Sequence, residues 1–320
     1  MKTEDKLPPG LPSTHPDRRG EVSFAYRFST ATSPLAVGRG LGGLARRLFG
    51  AKTFLINRIA FGLVAVLLLL ALLGPVLAPY DPNAPNTNAA LQAPGAVHWL
   101  GTDDVGRDVL SRILTGATQT LISAVLIVVF ATLIGVIVAS AAALAPRWAD
   151  EVVMRVCDMF MSIPSLVLAL GLAAALGPSL TSIIIAMVAA LWPATARLTR
   201  GILRETMTSA YIESAQIVGM SRLRLMVRHA IPNSLDAIYV HASMEISGTI
   251  VMMSGLAFLG VGAPPPSADW GSMIAQGQDF ITTAWWVSLF PGLAITLSAV
   301  AFGLAGDAVR SLADPSSRRS

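Results

Sequence analysis

The chain has 320 residues, 53% hydrophobic and 13% charged, with a mean hydropathy of +0.63. Soluble domains carry roughly 25% charged residues, so this composition excludes one and predicts a polytopic membrane protein. The pI of about 9.6 does not imply nucleic-acid binding, because the basic residues fall between apolar runs and not on one amphipathic surface.

Residues 1–58 are polar and rich in Pro, Gly, Ser and Arg. They read as a largely disordered tail ending in a short basic amphipathic piece at 44–58. A polar stretch this long before the first apolar run argues against a secretory signal. The glycines at 38–43 follow no strand pattern, and Gly50-Ala51-Lys52-Thr53 lacks a glycine directly before the lysine, so no phosphate loop is expected. Six apolar runs follow, at 59–77, 121–144, 156–176, 180–196, 235–259 and 286–304. Each suits one crossing of about 20 residues. They are apolar around the whole circumference, which predicts an all-α bundle of six transmembrane helices and not a barrel. The lone Cys157 lies in the third run and reads as a packing residue.

Of 23 Lys and Arg, 21 lie in the tail, at Arg147 and Arg155, between Arg197 and Arg228, or from Arg310 onward; only Arg107 and Arg112 fall on the other side. This bias predicts cytoplasmic termini and a cytoplasmic segment 203–233. The loop at 78–116 is then external. Its Asp103, Asp104 and Asp108 do not match the twelve-residue calcium loop. A compact turn, with Arg107 and Arg112 neutralising the aspartates, is the simpler reading. In the second external loop, 260–285, Trp270, Trp285 and Trp286 suit an interfacial aromatic belt.

Within the runs, Trp192-Pro193 predicts a kink, Arg155 and Asp158 an ion pair, and Asp307 with Arg310 the inner end of the last helix. Glu245 lies on the order of 15 Å into the fifth run, where a carboxylate is costly. Two readings stand: it lines a pathway and meets a substrate ammonium, or it makes a structural hydrogen bond. His241, one turn earlier, is the candidate partner.

The polar island 203–233 reads as two short helices. Met207, Tyr211, Ala215 and Val218 recur at helical spacing, with Ser209 as N-cap and Glu213 in the opening turn. Gly219 suits a left-handed stop, and Ser221 caps a second helix with Leu223, Val227, Ala230 and Ile231 on one face. Arg224 and Arg228, one turn apart, repel each other unless an acidic partner faces them. Pro232 closes the island.

Glu213-Ser214-Ala215, three residues, Gly219, nine residues, His229, then Ile231-Pro232 resembles the coupling motif of ABC-importer permeases. Ser214 and Ile231 stand where that family usually has Ala and Leu. His229-Ala230-Ile231-Pro232-Asn233 resembles the dipeptide/oligopeptide/nickel branch, as do the two external loops, and the chain is similar to its C-type subunit. The family more often has Pro at Ala268 and a carboxylate at Met253.

The resemblance implies a type I importer permease in a bacterial inner membrane that is not itself an enzyme. It would pair with a homologous second permease and two cytoplasmic ATPases holding ATP and Mg, with no cofactor on this chain and no nucleic-acid partner. Glu213, Ser214, Ala215, Gly219, Arg224, Arg228, His229, Ile231 and Pro232 would couple to an ATPase. Asp103, Asp104, Arg107, Asp108 and Trp270 would face an external solute-binding protein. The implied division is 1–58 tail, 59–77 first helix, 78–116 external loop, 117–310 permease core and 311–320 tail. The expected cargo is a di- or oligopeptide, with nickel complexes or oligosaccharides as alternatives. An ion-coupled transporter would call for paired carboxylates in matching halves, and only Glu245 is present mid-span.

Overall fold

The computed structural model describes residues 41–313, with side chains from Leu55 to Leu312. The chain divides into two units, Met1–Ala51 and Lys52–Ser320, and the second carries the architecture below. Of the tails expected at 1–58 and 311–320, residues 1–40 and 314–320 lie outside the described residues, while 41–58 and 311–313 are helical.

Ten α-helices account for nearly all described regular structure: α1 (Leu41–Leu77), α2 (Val109–Leu144), α3 (Arg147–Met161), α4 (Ser165–Leu176), α5 (Leu180–Met207), α6 (Ala210–Ile217), α7 (Arg222–Leu225), α8 (Ile231–Leu256), α9 (Trp270–Gly277) and α10 (Trp286–Ala313). Among the described residues, five stretches are long and apolar enough to cross a bilayer: Leu55–Leu77, Val109–Leu144, Leu180–Met207, Arg222–Val261 and Trp286–Leu312. The sixth expected crossing is not one helix, because α3 and α4 meet at 85°. Pro164 explains the break: its ring disfavours helical backbone at Ile163 and it has no N–H to give.

Three other boundaries differ from expectation. The piece at 44–58 is helical and continuous with the first crossing inside α1. The fourth run passes through Pro193 and continues as α5 to Met207, well into the polar island. Pro232 sits in the first turn of α8 and opens that helix instead of closing the island; a missing N–H costs nothing there.

Charge pairing also runs across helices and not along one. Asp150, buried on α3, accepts from both Arg200 and Arg204 of α5. Asp158 pairs with Arg197 at 3.0 Å, while the expected partner Arg155 is exposed. Two ion-pair sites therefore pin α3 to α5, beside the bend.

Helix α2 runs through the whole core. Its first half packs with Trp270, Met273 and Trp286, its middle with Ile183, Met187 and Met253, and Ala139 near its end with Leu203, Met226 and Ala230. Met253, where the resembling family carries a carboxylate, is thus a packing residue here, as is the fully buried Cys157. Leu69, Leu72 and Val76 on α1 stay exposed, as a lipid-facing surface requires.

Small residues set the closest helix approaches. A Cβ on Gly74 would lie 2.0 Å from the Leu114 carbonyl oxygen, so α1 meets α2 backbone to side-chain-free backbone. Gly74→Ala is expected to cost about 1–3 kcal/mol, read as a lower melting temperature in detergent.

Candidate functional site

The hairpin at one end of the bundle is built by local capping. Ser209 has N-cap backbone geometry, but its hydroxyl donates back to the Thr206 carbonyl at 2.5 Å and does not cap α6. Gly219 has φ +91°, with its N–H on the Gln216 carbonyl at 2.9 Å and the Met220 N–H on the Ala215 carbonyl at 3.2 Å. That pair of bonds is a Schellman stop, which needs a residue at ease with positive φ. Ser221 then accepts from the Arg224 N–H at 3.4 Å and starts α7. The Asn233 amide donates to Tyr211 Oη at 3.1 Å and to the His229 carbonyl at 2.7 Å, closing the hairpin on itself.

The second helix does not keep the expected face. After α7 the chain makes a π-helical turn at Met226–Ala230 before entering α8. The wider turn shifts the register, so Leu225, Met226 and Ala230 are buried while Leu223 and Val227 are exposed. Ile212 is the buried anchor of α6. Projecting from the tip are Ile217, 86% exposed, and Val218, 87% exposed. Glu213, Ser214, Arg222, Arg224, Arg228 and Pro232 are exposed around them, with Ala215, His229 and Ile231 half-buried. None of these three arginines forms an ion pair with another described residue.

At the opposite end of α2 lies a cap that is the reverse in character. Asp103 accepts from Arg107 Nε at 2.6 Å and lies 3.6 Å from Arg112 Nε. Asp108 takes His98 Nδ1 at 2.9 Å and caps α2 through the Ser111 N–H at 2.8 Å. Arg112 donates to the carbonyls of Pro82, Pro266 and Ser267 at 3.1, 3.2 and 3.1 Å, joining the two loops. Trp270 and Trp286 donate to the carbonyls of Ile113 and Thr102, both at 3.0 Å. Asp269 caps α9 through the Gly271 N–H; burial pushes its carboxyl above the usual range, against the hydrogen bonds from Ser272 and Gly271.

The compact, arginine-neutralised turn is therefore present, but four of the five side chains expected to face a binding protein are buried in it: Asp103, Arg107, Asp108 and Trp270. Asp104 alone of the five is exposed. Trp270 and Trp286 likewise serve the cap and not an aromatic belt; Trp285 and Trp99 are the exposed indoles there.

Glu245 lies mid-way along α8, half-buried, against Thr132 of α2 and Thr195 of α5. His241 Nε2 is 3.9 Å from its carboxylate, outside hydrogen-bond range, and is buried without a hydrogen-bond partner. Asp150 and Gln276, the polar anchors that sequence reasoning passed over, carry no motif; only their position against arginines distant in the chain marks them.

The family model for the binding-protein-dependent transport system inner membrane component matches residues 131–319, and that for the N-terminal TM domain of oligopeptide transport permease C matches 46–94. The chain belongs to this permease family. It is similar to a probable D,D-dipeptide transport system permease protein of Escherichia coli, 42% identical over 79% of this chain and 85% of that one. It is also 42% identical to a putative peptide transport system permease protein of Brucella suis, over 85% and 90% of the two chains. A crystal structure of an amino acid ABC transporter covers 65% of this chain and 94% of its own at TM-score 0.48 and 16% identity, too distant to add to this. The permease is thus a multi-pass membrane subunit of the C type, with its family match extending over the hairpin, α8 and α10.

In this permease Arg112→Met should leave the Pro82, Pro266 and Ser267 carbonyls without their donor in a buried site, while Asp103 keeps Arg107. The expected loss is about 3–5 kcal/mol, at roughly 1–3 kcal/mol for each buried group left unsatisfied, measured by thermal unfolding in detergent.

Proposed function

We propose that this permease forms half of the translocation pathway of an ATP-driven importer of di- or oligopeptides, handed over by an external solute-binding protein. The observation that carries it is the hairpin tip: Ile217 and Val218 stand in solvent, flanked by three arginines that form no ion pair among the described residues. An apolar tip with a cationic rim is unstable as a free surface and suited to an ATPase groove with acidic walls. The positive-inside bias supports placing both termini and the hairpin in the cytoplasm, with the arginine-tied cap outside.

The remaining partners would be a homologous permease, two ATPases holding ATP and Mg, the binding protein and the bilayer; this chain would bind no cofactor. The peptide permease relatives support peptide cargo over a nickel complex or oligosaccharide. ATP-driven closure of the ATPases would move the hairpins, and α5 and α8 would carry that motion into the pathway. Such a switch requires that ATP bind the two states with different free energy.

Co-purification in mild detergent checks the coupling surface. Ile217→Asp, Glu213→Arg and Gly219→Pro should each lose the ATPase while the permease stays inserted; proline cannot adopt the φ of +91° at Gly219. Retention of the ATPase by all three would remove the hairpin from the interface. Glu245 is read as the group that meets a substrate ammonium: Glu245→Gln should slow uptake of a zwitterionic dipeptide more than that of its N-acetylated form. Equal slowing of both would return Glu245 to a structural role.

A further inference from the structure

A cavity of about 390 Å³ opens beside the cap, between the start of α5, the end of α8 and the first turns of α9. This lies near the lower end of the roughly 300–1,000 Å³ typical of small-molecule sites. Its walls are Pro178, Ala257, Gly260, Ala263, Pro264 and neighbouring small residues, with no ionisable side chain. Only Ser272 and Gln276 bring polar side-chain atoms to it, and the Ser272 hydroxyl is donated to Asp269.

Gln276 is held from behind. Arg107 donates to its Oε1 at 3.0 Å, and Arg112 reaches the same atom at 3.5 Å. Two guanidinium donors on one atom fix it as the amide oxygen, so the other terminal atom is the NH2. That NH2 has no hydrogen-bond partner among the described residues. Gln276 lines this neutral, small-walled cavity, and with its Oε1 taken by the two arginines the NH2 is the donor its side chain has left.

We propose that this cavity is a peptide-backbone site, in which the Gln276 NH2 donates to a main-chain carbonyl of an extended, uncharged peptide segment. Small side chains of that segment pack on Ala257, Ala263 and Pro264. The proposal rests on the peptide-importer reading above and separates it from its rivals by chemistry. A metal ion would require imidazole, thiolate or carboxylate ligands, and none lines the cavity. A sugar would call for several convergent polar groups, and Ser272 and Gln276 are the polar side chains among the described lining residues. A peptide presents a regular series of carbonyl acceptors, which one fixed donor can read whatever the side chains.

Gln276→Glu is the discriminating variant. Its carboxylate keeps an acceptor for Arg107 and Arg112, and a stronger one, but replaces the outward NH2 with an oxygen that repels a carbonyl. A purely structural role would survive the change; a donor role would not. Ala275→Phe adds bulk to the same cavity and leaves the Gln276 amide chemistry unchanged.

The complete importer, with its partner permease, ATPases and binding protein, is reconstituted in liposomes, and ATP-dependent uptake of radiolabelled di-, tri- and tetra-alanine is followed. Gln276→Glu and Ala275→Phe should each lower uptake about tenfold or more, with the Gln276→Glu melting temperature unchanged. Wild-type uptake by Gln276→Glu overturns the site and leaves the peptide reading standing. A lost uptake accompanied by a fallen melting temperature assigns Gln276 to the cap alone and likewise overturns the site. Failure of the wild-type importer to take up any of the three peptides overturns both.

Discussion

A guanidinium taken out of water has to be given partners for its donors, and Arg112, 1% exposed, is where this chain meets that demand. Its partners come from three separate places: Pro82 before α2, Pro266 and Ser267 before α9, and Asp103 in the turn between. None of these segments has a regular ladder of its own, so their carbonyls would be orphaned without it. The cap is therefore one unit, and α2 leaves it with a fixed direction. Because buried ion pairs seldom add much net stability, the gain is best understood as uniqueness: other loop arrangements would strand the charge.

The two ends of α2 follow opposite rules. At the cap, charges are buried, paired and tied to backbone from distant segments. At the hairpin, Arg222, Arg224 and Arg228 are exposed and form no ion pair among the described residues, and the bonds described there are short-range ones such as the Gly219 stop and the Asn233 bridge. An end held by local bonds can shift as a piece while keeping its shape, whereas the cap cannot move without breaking several charged bonds at once. This asymmetry suits a subunit in which motion enters at one end and is resisted at the other. Asp150, gripping Arg200 and Arg204 just before the hairpin, joins the bent α3–α4 pair to the hairpin end.

Five of the six expected crossings, the hairpin with its Gly219 turn and the Arg–Asp turn were legible because each has a local cause: apolar length, a positive-φ glycine, opposite charges a few residues apart. What the sequence hid depends on partners far away in the chain. The bend at Pro164 lies in an apolar run that reads as one crossing by hydropathy, since hydropathy carries no direction. Asp158 pairs with Arg197 and not with Arg155 because α5 lies against α3. The face of the second hairpin helix was misassigned because a π turn breaks the 3.6-residue period on which that reading rests. Burial of Asp103, Arg107 and Asp108 was invisible for the same reason: charged loop residues look solvent-facing until the tertiary carbonyls that receive them are known.

The cap also bears on how a pathway can recognise cargo of varied side chains. A site built from charges would select charge, and a deep apolar pocket would select shape. Here the charges are consumed internally, and their effect is passed on through a single neutral amide, Gln276, whose orientation they fix. An arginine facing a cavity would bind carboxylates tightly and release them slowly. An amide held by arginines offers a directed donor of ordinary strength, which a transported chain can leave as readily as it enters. Weak, oriented and indifferent to side chains is the combination that passage through a channel demands, and burying the arginines behind Gln276 is how this fold arrives at it.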